Sequence, residues 1–270
     1  MRPSLAPPAA PHPTLPIVAA IGAIVVLTAS LVISKYVLDA LVGLEWPVVA
    51  YVVMLALIGY GPSVWWCWYV SRRWGSGRLG PDIGLTPRWS DIGWGPVVWI
   101  GAIGMQLALA AIVIGFGIPI ANNTDGIREL QVDRTYVVSI VLTAVIAAPL
   151  VEEMVFRGVV LRGLHSRLPA VLAIVLQAVL FGAAHIDPVR GIGNVGLFMV
   201  LSGVGLAFGI AAYLLRRIGP TIVAHAIFNS VILALLLTGV ADRLQESDLG
   251  NQEASAGEEV AIVDQPDLTE

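Results

Sequence analysis

The sequence predicts an all-α, polytopic membrane bundle of about seven spans. Three observations predict it: the composition, the long apolar stretches and the position of the charges. Of the 270 residues, 57% are hydrophobic and 13% are charged, whereas soluble globular chains are about half apolar and about a quarter charged. This composition excludes a soluble enzyme, a disordered chain and a nucleic-acid-binding protein. The single cysteine, Cys67, allows no internal disulfide.

Seven apolar stretches approach or exceed the ~20 residues that a spanning helix needs. They cover residues 15–34, 46–70, 94–120, 136–161, 168–185, 195–215 and 221–240. The first is interpreted as an uncleaved span, because its apolar run is too long for the hydrophobic part of a signal peptide. The sequence therefore predicts one transmembrane domain over residues 15–240.

The two ends of the chain have a different composition. Residues 1–14 contain five prolines and predict an extended N-terminal arm. Residues 241–270 carry nine acidic residues and one arginine, with few large apolar residues, which predicts a disordered acidic tail. Residues 1–240 hold 14 Lys and Arg against 10 Asp and Glu, a net charge of +4. The acidity of the protein therefore belongs to the tail.

The basic residues predict the orientation in the membrane. With seven spans, the loops on the N-terminal side hold nine Lys and Arg, and the opposite loops hold five. Arg157 is left out because it lies inside the fourth stretch. The excess of positive charge predicts a cytoplasmic N-terminus and an external tail.

The fourth stretch contains the first of three polar clusters, Glu-Glu-Met-Val-Phe-Arg at 152–157. Glu153 and Arg157 are four residues apart, so they share a helix face and can form an ion pair. Glu152 points about 100° away and has no charged partner on its own helix. An ionisable side chain at a bilayer centre costs roughly 3 kcal/mol on insertion scales. Such a residue is a functional candidate, and contact between helices is the alternative explanation.

The other two clusters lie on the fifth and seventh stretches. Phe181 and His185 share one helix face, and His225 and Asn229 share another. A rise of ~1.5 Å per residue places all of these polar groups within the ~30 Å apolar core. The pair on the last stretch is consistent with a metal or water site, an oxyanion clamp or a hydrogen-bonding contact between helices.

The three motifs together resemble a known family. E-E-x-x-x-R, F-x-x-x-H and H-x-x-x-N occur in this order on three helices, and Phe156 before the motif arginine also fits. This arrangement resembles the CPBP family of intramembrane proteases, which includes the type 2 CAAX prenyl endopeptidases (Rce1-like) and lysostaphin-resistance-A-like proteins. The resemblance covers about residues 136–240.

The resemblance implies an endopeptidase that acts on membrane-associated peptides or proteins, such as prenylated CAAX-type sequences. By position, Glu152 matches the glutamate that activates water, and His185 matches the histidine that helps to hold that water. His225 and Asn229 match the pair that stabilises the oxyanion. Glu153, Arg157 and Phe181 match supporting positions. The chemistry agrees with these residue types, since hydrolysis needs a general base and oxyanion donors.

The sequence leaves open whether the site holds a metal ion. Glu152, His185 and His225 offer one oxygen and two nitrogens, a set that suits catalytic zinc, and the family is often labelled a metalloprotease. A metal-free site is favoured because Asn229, which pairs with His225, is a poor zinc ligand but a good hydrogen-bond donor. The expectation is either no cofactor or a divalent metal such as zinc.

Two other functional classes fit the composition. One is a non-enzymatic membrane protein of the bacteriocin-immunity or secretion-associated type, which is disfavoured because every motif position is filled. The other is a proton-coupled transporter, for which inverted repeats are expected and none is evident. The expected location is a bacterial plasma membrane, with the lipid bilayer and a membrane-associated substrate as partners and no nucleic acid.

Overall fold

The computed structural model describes residues 15–121, 134–186 and 193–240, and all of the regular structure within them is helical. The predicted N-terminal arm, 1–14, and acidic tail, 241–270, lie outside the described residues. The helices are α1 (Ile17–Leu41), α2 (Val48–Trp74), α3 (Leu79–Ile83), α4 (Ser90–Gly115), α5, α6 (Ala170–Ala183), α7 (Gly193–Leu215) and α8 (Gly219–Leu237). A 3₁₀ turn, Val42–Leu44, follows α1.

Helix α5 is a series of five helical segments that follow one another without a break. Three are α-helical, Arg134–Leu142, Ala148–Glu153 and Leu161–His165. Between them lie two π-helical segments, Thr143–Ala147 and Met154–Val160. The polar cluster at 152–157 therefore spans the junction between the α-helical segment that ends at Glu153 and the π-helical segment that begins at Met154.

Within the residues that the structure describes, six helices are long and apolar enough to cross a membrane: α1, α2, α4, α5, α7 and α8. Helix α6 has 14 residues, which is shorter than the ~20 residues of a full span. The prediction of an all-α polytopic bundle of about seven spans is confirmed, and the protein is an integral, multi-pass membrane protein.

Several helices begin or end a few residues away from the ends of the predicted apolar stretches. Helix α1 continues to Leu41, past the end of the predicted stretch at residue 34, and within this extension Lys35 and Asp39 pair across one turn at 3.4 Å. Helix α6 ends at Ala183 rather than at His185. His185 lies in the turn that follows, where its backbone N–H donates to the carbonyl of Gly182.

Contacts within the chain separate two units, Met1–Asn229 and Ser230–Glu270. In the first unit, α1 packs against α2 and α5, and α7 packs against both α4 and α6. Gly205 allows the close approach of α7 to α6, because a Cβ at this position would lie 3.0 Å from the Cα of Ala178. The described part of the second unit, residues 230–240, contains the last turns of α8.

The connection between α2 and α4, which contains α3, packs against other helices of the first unit. Ile83 is fully buried, and a Cβ at Gly158 of α5 would lie only 3.0 Å from its Cβ. The carbonyl of Gly84 accepts a hydrogen bond from the backbone N–H of Ile218 at 3.0 Å. Gly84 has a φ of +76°, a left-handed conformation that glycine adopts without strain. The connection thereby contacts both α5 and the start of α8.

A buried ion pair fixes the start of α8. Arg217 Nε lies 2.6 Å from Asp91 Oδ1, and the same guanidinium donates to Ser90 Oγ at 3.1 Å. Asp91 also accepts a hydrogen bond from the backbone N–H of Arg88. Gly219 begins α8 directly against the Asp91 carboxylate, so a Cβ there would clash with it. The pair therefore sets the position of the helix that carries His225.

Asp82 organises the end of α2 through several hydrogen bonds. It accepts from Ser71 Oγ at 2.5 Å, from Ser76 Oγ at 2.7 Å and from the Ser76 backbone N–H at 3.0 Å. Burial raises the pKa of this carboxyl, but the hydrogen bonds from Ser71 and Ser76 outweigh it and hold the pKa below its usual value.

We expect Asp82→Asn to lower the free energy of unfolding by about 2 kcal/mol at neutral pH, since hydrogen bonds to a charged group are lost. A carboxyl whose pKa is lowered by folding stabilises the fold above its unfolded pKa, about 3.9. That stability is lost as the pH falls through the lower, folded-state pKa. The melting temperatures of wild type and variant in detergent should therefore approach each other as the pH falls below about 4 and become equal below the folded-state pKa. Asp39→Asn, which removes one partner of an exposed ion pair, is the control. A difference in melting temperature between wild type and Asp82→Asn that stays constant with pH would contradict this account.

Candidate active site

The π-helical turn in α5 explains the position of Asn229. In this turn the N–H of Ala148 donates to the carbonyl of Thr143, five residues earlier. The next donor in that register would be residue 149, which is proline and has no N–H. The carbonyl of Ala144 instead accepts from Asn229 Nδ2 at 2.8 Å. The motif asparagine therefore replaces a missing backbone donor less than three turns before Glu152.

Glu153 and Arg157 form the ion pair that their spacing predicts. Arg157 Nη1 lies 2.7 Å from Glu153 Oε1, and both side chains are fully buried. Arg157 also donates from Nη2 to the carbonyl of Gly205 at 3.3 Å. A buried charge is tolerated only when partners replace its lost hydration. This pair thus ties α5 to α7 as well as neutralising two charges.

Three phenylalanine rings surround the guanidinium of Arg157. The ring centroids of Phe181, Phe208 and Phe156 lie 4.4, 5.2 and 5.9 Å from its central carbon. Aromatic faces attract cations at these distances. Phe208, on α7, was missed by sequence reasoning because no motif or spacing distinguishes it from the other apolar residues of that stretch.

His225 lies beside Glu153 rather than beside Glu152. Its Nδ1 is 3.1 Å from Glu153 Oε1, the same oxygen that binds Arg157. A carboxylate only accepts hydrogen bonds, so the proton of this contact belongs to Nδ1. The rings of Phe208 and Phe181 lie 5.6 and 6.1 Å from the imidazole. The Nε2 atom is left as the ring nitrogen that can meet a ligand.

Glu152 and His185 form a second, looser pair. His185 Nε2 lies 3.8 Å from Glu152 Oε2, too far for a direct hydrogen bond. Glu152 makes no hydrogen bond to any described residue, although Oε2 is buried from solvent. The side chains of His185 and Glu152 are 25% and 15% exposed, whereas that of Glu153 is 0% exposed. Of the two adjacent glutamates, Glu152 is therefore the accessible one.

The orientation of the His185 ring follows from a backbone contact. Its Nδ1 lies 2.8 Å from the carbonyl oxygen of Phe181. Because a carbonyl only accepts, Nδ1 carries the proton and Nε2 of the neutral ring is an acceptor. Glu152 and His185 thus present two acceptors across a gap of 3.8 Å. A separation of this size between polar atoms suits a bridging water.

The predicted ligand set for zinc does not come together in this arrangement. Glu152 faces His185, while His225 turns Nδ1 to Glu153. Among residues 15–121, 134–186 and 193–240, no three His, Cys, Asp or Glu side chains form a group able to hold a metal ion. Asn229, with one amide N–H directed at Ala144, adds no ligand. The side chains therefore do not fit a metal centre.

The structure brings the predicted residues together as two neighbouring groups. Glu152 and His185 form one, and Glu153, Arg157, Phe181 and His225 form the other. The ring of Phe181 joins them, since it lies 4.7 Å from the His185 ring and 6.1 Å from that of His225.

Comparison with known proteins agrees with the three motifs. Residues 134–231 match the family model of the type II CAAX prenyl endopeptidases, Rce1-like. The putative membrane peptidase YdiL of Bacillus subtilis (strain 168) is 23% identical over 165 residues, which are 61% of this chain. The match spans 62% of the length of that curated relative. No solved structure matches the chain. These two matches agree with the resemblance to the CPBP family that the motifs indicate.

Proposed function

We propose that this protein is an intramembrane endopeptidase that hydrolyses peptide bonds with a water activated by Glu152. The observation that carries the proposal is the open pair of Glu152 and His185, whose facing acceptors lie 3.8 Å apart without a direct hydrogen bond. Their side chains are 25% and 15% exposed, in contrast to the fully buried pair of Glu153 and Arg157. The family match and the relative with a membrane peptidase name add support.

The water would be oriented by donating one hydrogen to each acceptor. One O–H points to Glu152 and the other to Nε2 of His185, so a lone pair of the water oxygen faces the scissile carbonyl. As that oxygen bonds to the carbonyl carbon, Glu152 takes the proton as general base. Glu152 then delivers the proton to the amide nitrogen when the C–N bond breaks. The products are a carboxylate and an amine.

The other histidine and Asn229 have the donors that the negative oxygen needs. Nδ1–H of His225 is held by Glu153, so a protonated ring would donate from Nε2. Asn229 uses one amide N–H on Ala144 and keeps a second. Preorganised donors aimed at a developing oxyanion contribute more in a low-dielectric site than in water.

The substrate and the location are also proposals. A site carried by membrane-spanning helices suits peptides that are themselves held in the membrane, and the family match suggests prenylated CAAX-type C-termini among them. We place the protein in a bacterial plasma membrane with its N-terminus in the cytoplasm. The support is the basic character of the end of the bundle that holds Arg162, Arg216 and Arg217. At this end Arg162 donates to the carbonyl of Arg216, and Arg217 pairs with Asp91.

We expect Glu152→Gln to reduce peptide cleavage by roughly 10²–10⁴-fold, because the variant has no general base. The melting temperature in detergent should be unchanged, since Glu152 makes no hydrogen bond to a described residue. The measurement is quantitative proteomics of membrane peptides from cells with wild-type or variant protein, followed by kinetics on a released peptide. Glu45→Gln, on an exposed turn, is the matched control. Cleavage by Glu152→Gln at the wild-type rate would refute the proposed function.

Glu153→Gln and Arg157→Ala should act differently, since each leaves one buried charge without its partner. We expect each to lower the free energy of unfolding by about 3–5 kcal/mol and to reduce the amount of protein in the membrane. Immunoblots of membrane fractions and thermal melts in detergent measure both effects. Variants of Glu152, Glu153 and Arg157 with the same expression and the same loss of activity would contradict this division of roles.

Removal of metal tests the arrangement of the histidines. We expect cleavage to persist after chelation, because His225 Nδ1 binds Glu153 and Asn229 binds Ala144. Metal analysis of purified, active protein before and after dialysis against chelator measures this. Stoichiometric zinc whose removal stops cleavage, and whose return restores it, would show that the side chains rearrange around a metal.

A further inference from the structure

One end of the first unit gathers the ends of α2, α5 and α7 and the starts of α4 and α8. Asp82 joins α3 to the end of α2 through Ser71. Asp91 joins the start of α4 to the start of α8 through Arg217, and Arg162 of α5 donates to the carbonyl of Arg216 at 3.3 Å. Six exposed arginines, which we call the arginine surface, lie on these helix ends and the connections between them: Arg72, Arg73, Arg78, Arg88, Arg167 and Arg216.

The carboxylates of this end do not neutralise the arginine surface. Asp82 and Asp91 are only 3% and 4% exposed. Asp82 accepts from Ser71 and Ser76, and Asp91 pairs with Arg217, which is itself buried. Within the part of the chain that the structure describes, none of the six side chains forms an ion pair or a hydrogen bond. The surface therefore presents six cations without an anionic partner among the described residues.

Two of these arginines lie against tryptophan rings. The central carbon of Arg72 is 5.5 Å from the ring centroid of Trp68, and that of Arg73 is 5.6 Å from the ring centroid of Trp74. Contact with an aromatic face holds a guanidinium in place and uses none of its N–H groups as a hydrogen-bond donor. The five N–H groups of a guanidinium form a rigid fork that matches the oxygens of a phosphate. Arg72 and Arg73 are thus adjacent, oriented and free to bind a phosphate.

The arginine surface lies where lipid headgroups meet a spanning helix. Five of its members are no more than two residues from an end of α2, α4, α5 or α7: Arg72, Arg73, Arg88, Arg167 and Arg216. Trp89, at the start of α4, is 90% exposed, and tryptophan is enriched at the headgroup level of membranes. The anion within reach of these side chains is therefore the phosphate of a phospholipid.

We propose that the arginine surface binds the phosphate groups of anionic phospholipids, with Arg72 and Arg73 as its central pair. A zwitterionic lipid has the same phosphate, but its own cation offsets the negative charge. A lipid such as phosphatidylglycerol keeps its net charge, and clusters of basic residues beside spanning helices attract such lipids. This inference does not depend on the proposed hydrolysis.

The test titrates the purified full-length protein, in a nonionic detergent, with phosphatidylglycerol or with phosphatidylcholine of the same acyl chains. Native mass spectrometry of the intact complexes gives the dissociation constants. The variants are Arg72→Gln/Arg73→Gln and Arg72→Lys/Arg73→Lys. Lys35→Gln is the control, because Ala20 of α1 packs at Gly163 beside this end and Lys35 lies roughly 20 Å further along the same helix.

We expect wild type to bind phosphatidylglycerol at least ten-fold more tightly than phosphatidylcholine. The double glutamine variant should lose on the order of 25-fold in affinity for phosphatidylglycerol, or about five-fold for each arginine. The double lysine variant should lose less, since it keeps the charge but not the fork. Lys35→Gln should match wild type. Equal affinity for the two lipids, a wild-type dissociation constant for the double glutamine variant, or an equal loss in Lys35→Gln would overturn the inference.

Two further measurements identify the occupant and use wild type alone, so they hold even if a variant fails to fold. Glycerol 3-phosphate carries the phosphate without acyl chains, and binding as tight as that of phosphatidylglycerol would show that the ligand is a soluble phosphate and overturn the inference. Raising the salt from 50 to 500 mM should weaken phosphatidylglycerol binding several-fold, because exposed charges are screened. Binding that is independent of salt, or no binding of added lipid because the acidic tail already occupies the surface, would also overturn it.

Discussion

A single carboxylate oxygen, Glu153 Oε1, connects the helices of the candidate site. It lies 2.7 Å from Arg157 Nη1 and 3.1 Å from His225 Nδ1. Arg157 in turn reaches the carbonyl of Gly205, so α5, α7 and α8 meet around one buried charge. In a medium where an isolated charge is costly, each partner depends on the others. The closed group holds the histidine in place, and the adjacent Glu152 is left without such partners.

The sequence predicted the fold class because hydropathy and span length follow directly from the thickness of a bilayer. It also predicted the pairing of Glu153 with Arg157, since a spacing of four residues fixes a shared helix face. The helix boundaries were less accurate. Residues 35–41 continue α1 although they include Lys35 and Asp39, which pair across one turn of the helix.

The contacts between helices could not be read from the sequence. The spacing of His225 and Asn229 indicates one shared face, but their partners come from α5: Glu153 for one and the carbonyl of Ala144 for the other. Phe208 lies on an apolar stretch without a motif, and only packing places it beside Arg157. Periodicity within a helix carries no information about which residue of another helix it meets.

The π-helical segments of α5 have a consequence for the two adjacent glutamates. Each segment holds an extra residue relative to the α-helical register, and a residue corresponds to a rotation of about 100°. Removing one residue from 143–147 would let that turn close as an ordinary α-helix. The face that Asn229 holds would then turn relative to the face that carries Glu152 and Glu153. Which of the two glutamates is fully buried and which is partly exposed thus depends on the number of residues in this helix as well as on the identity of its side chains.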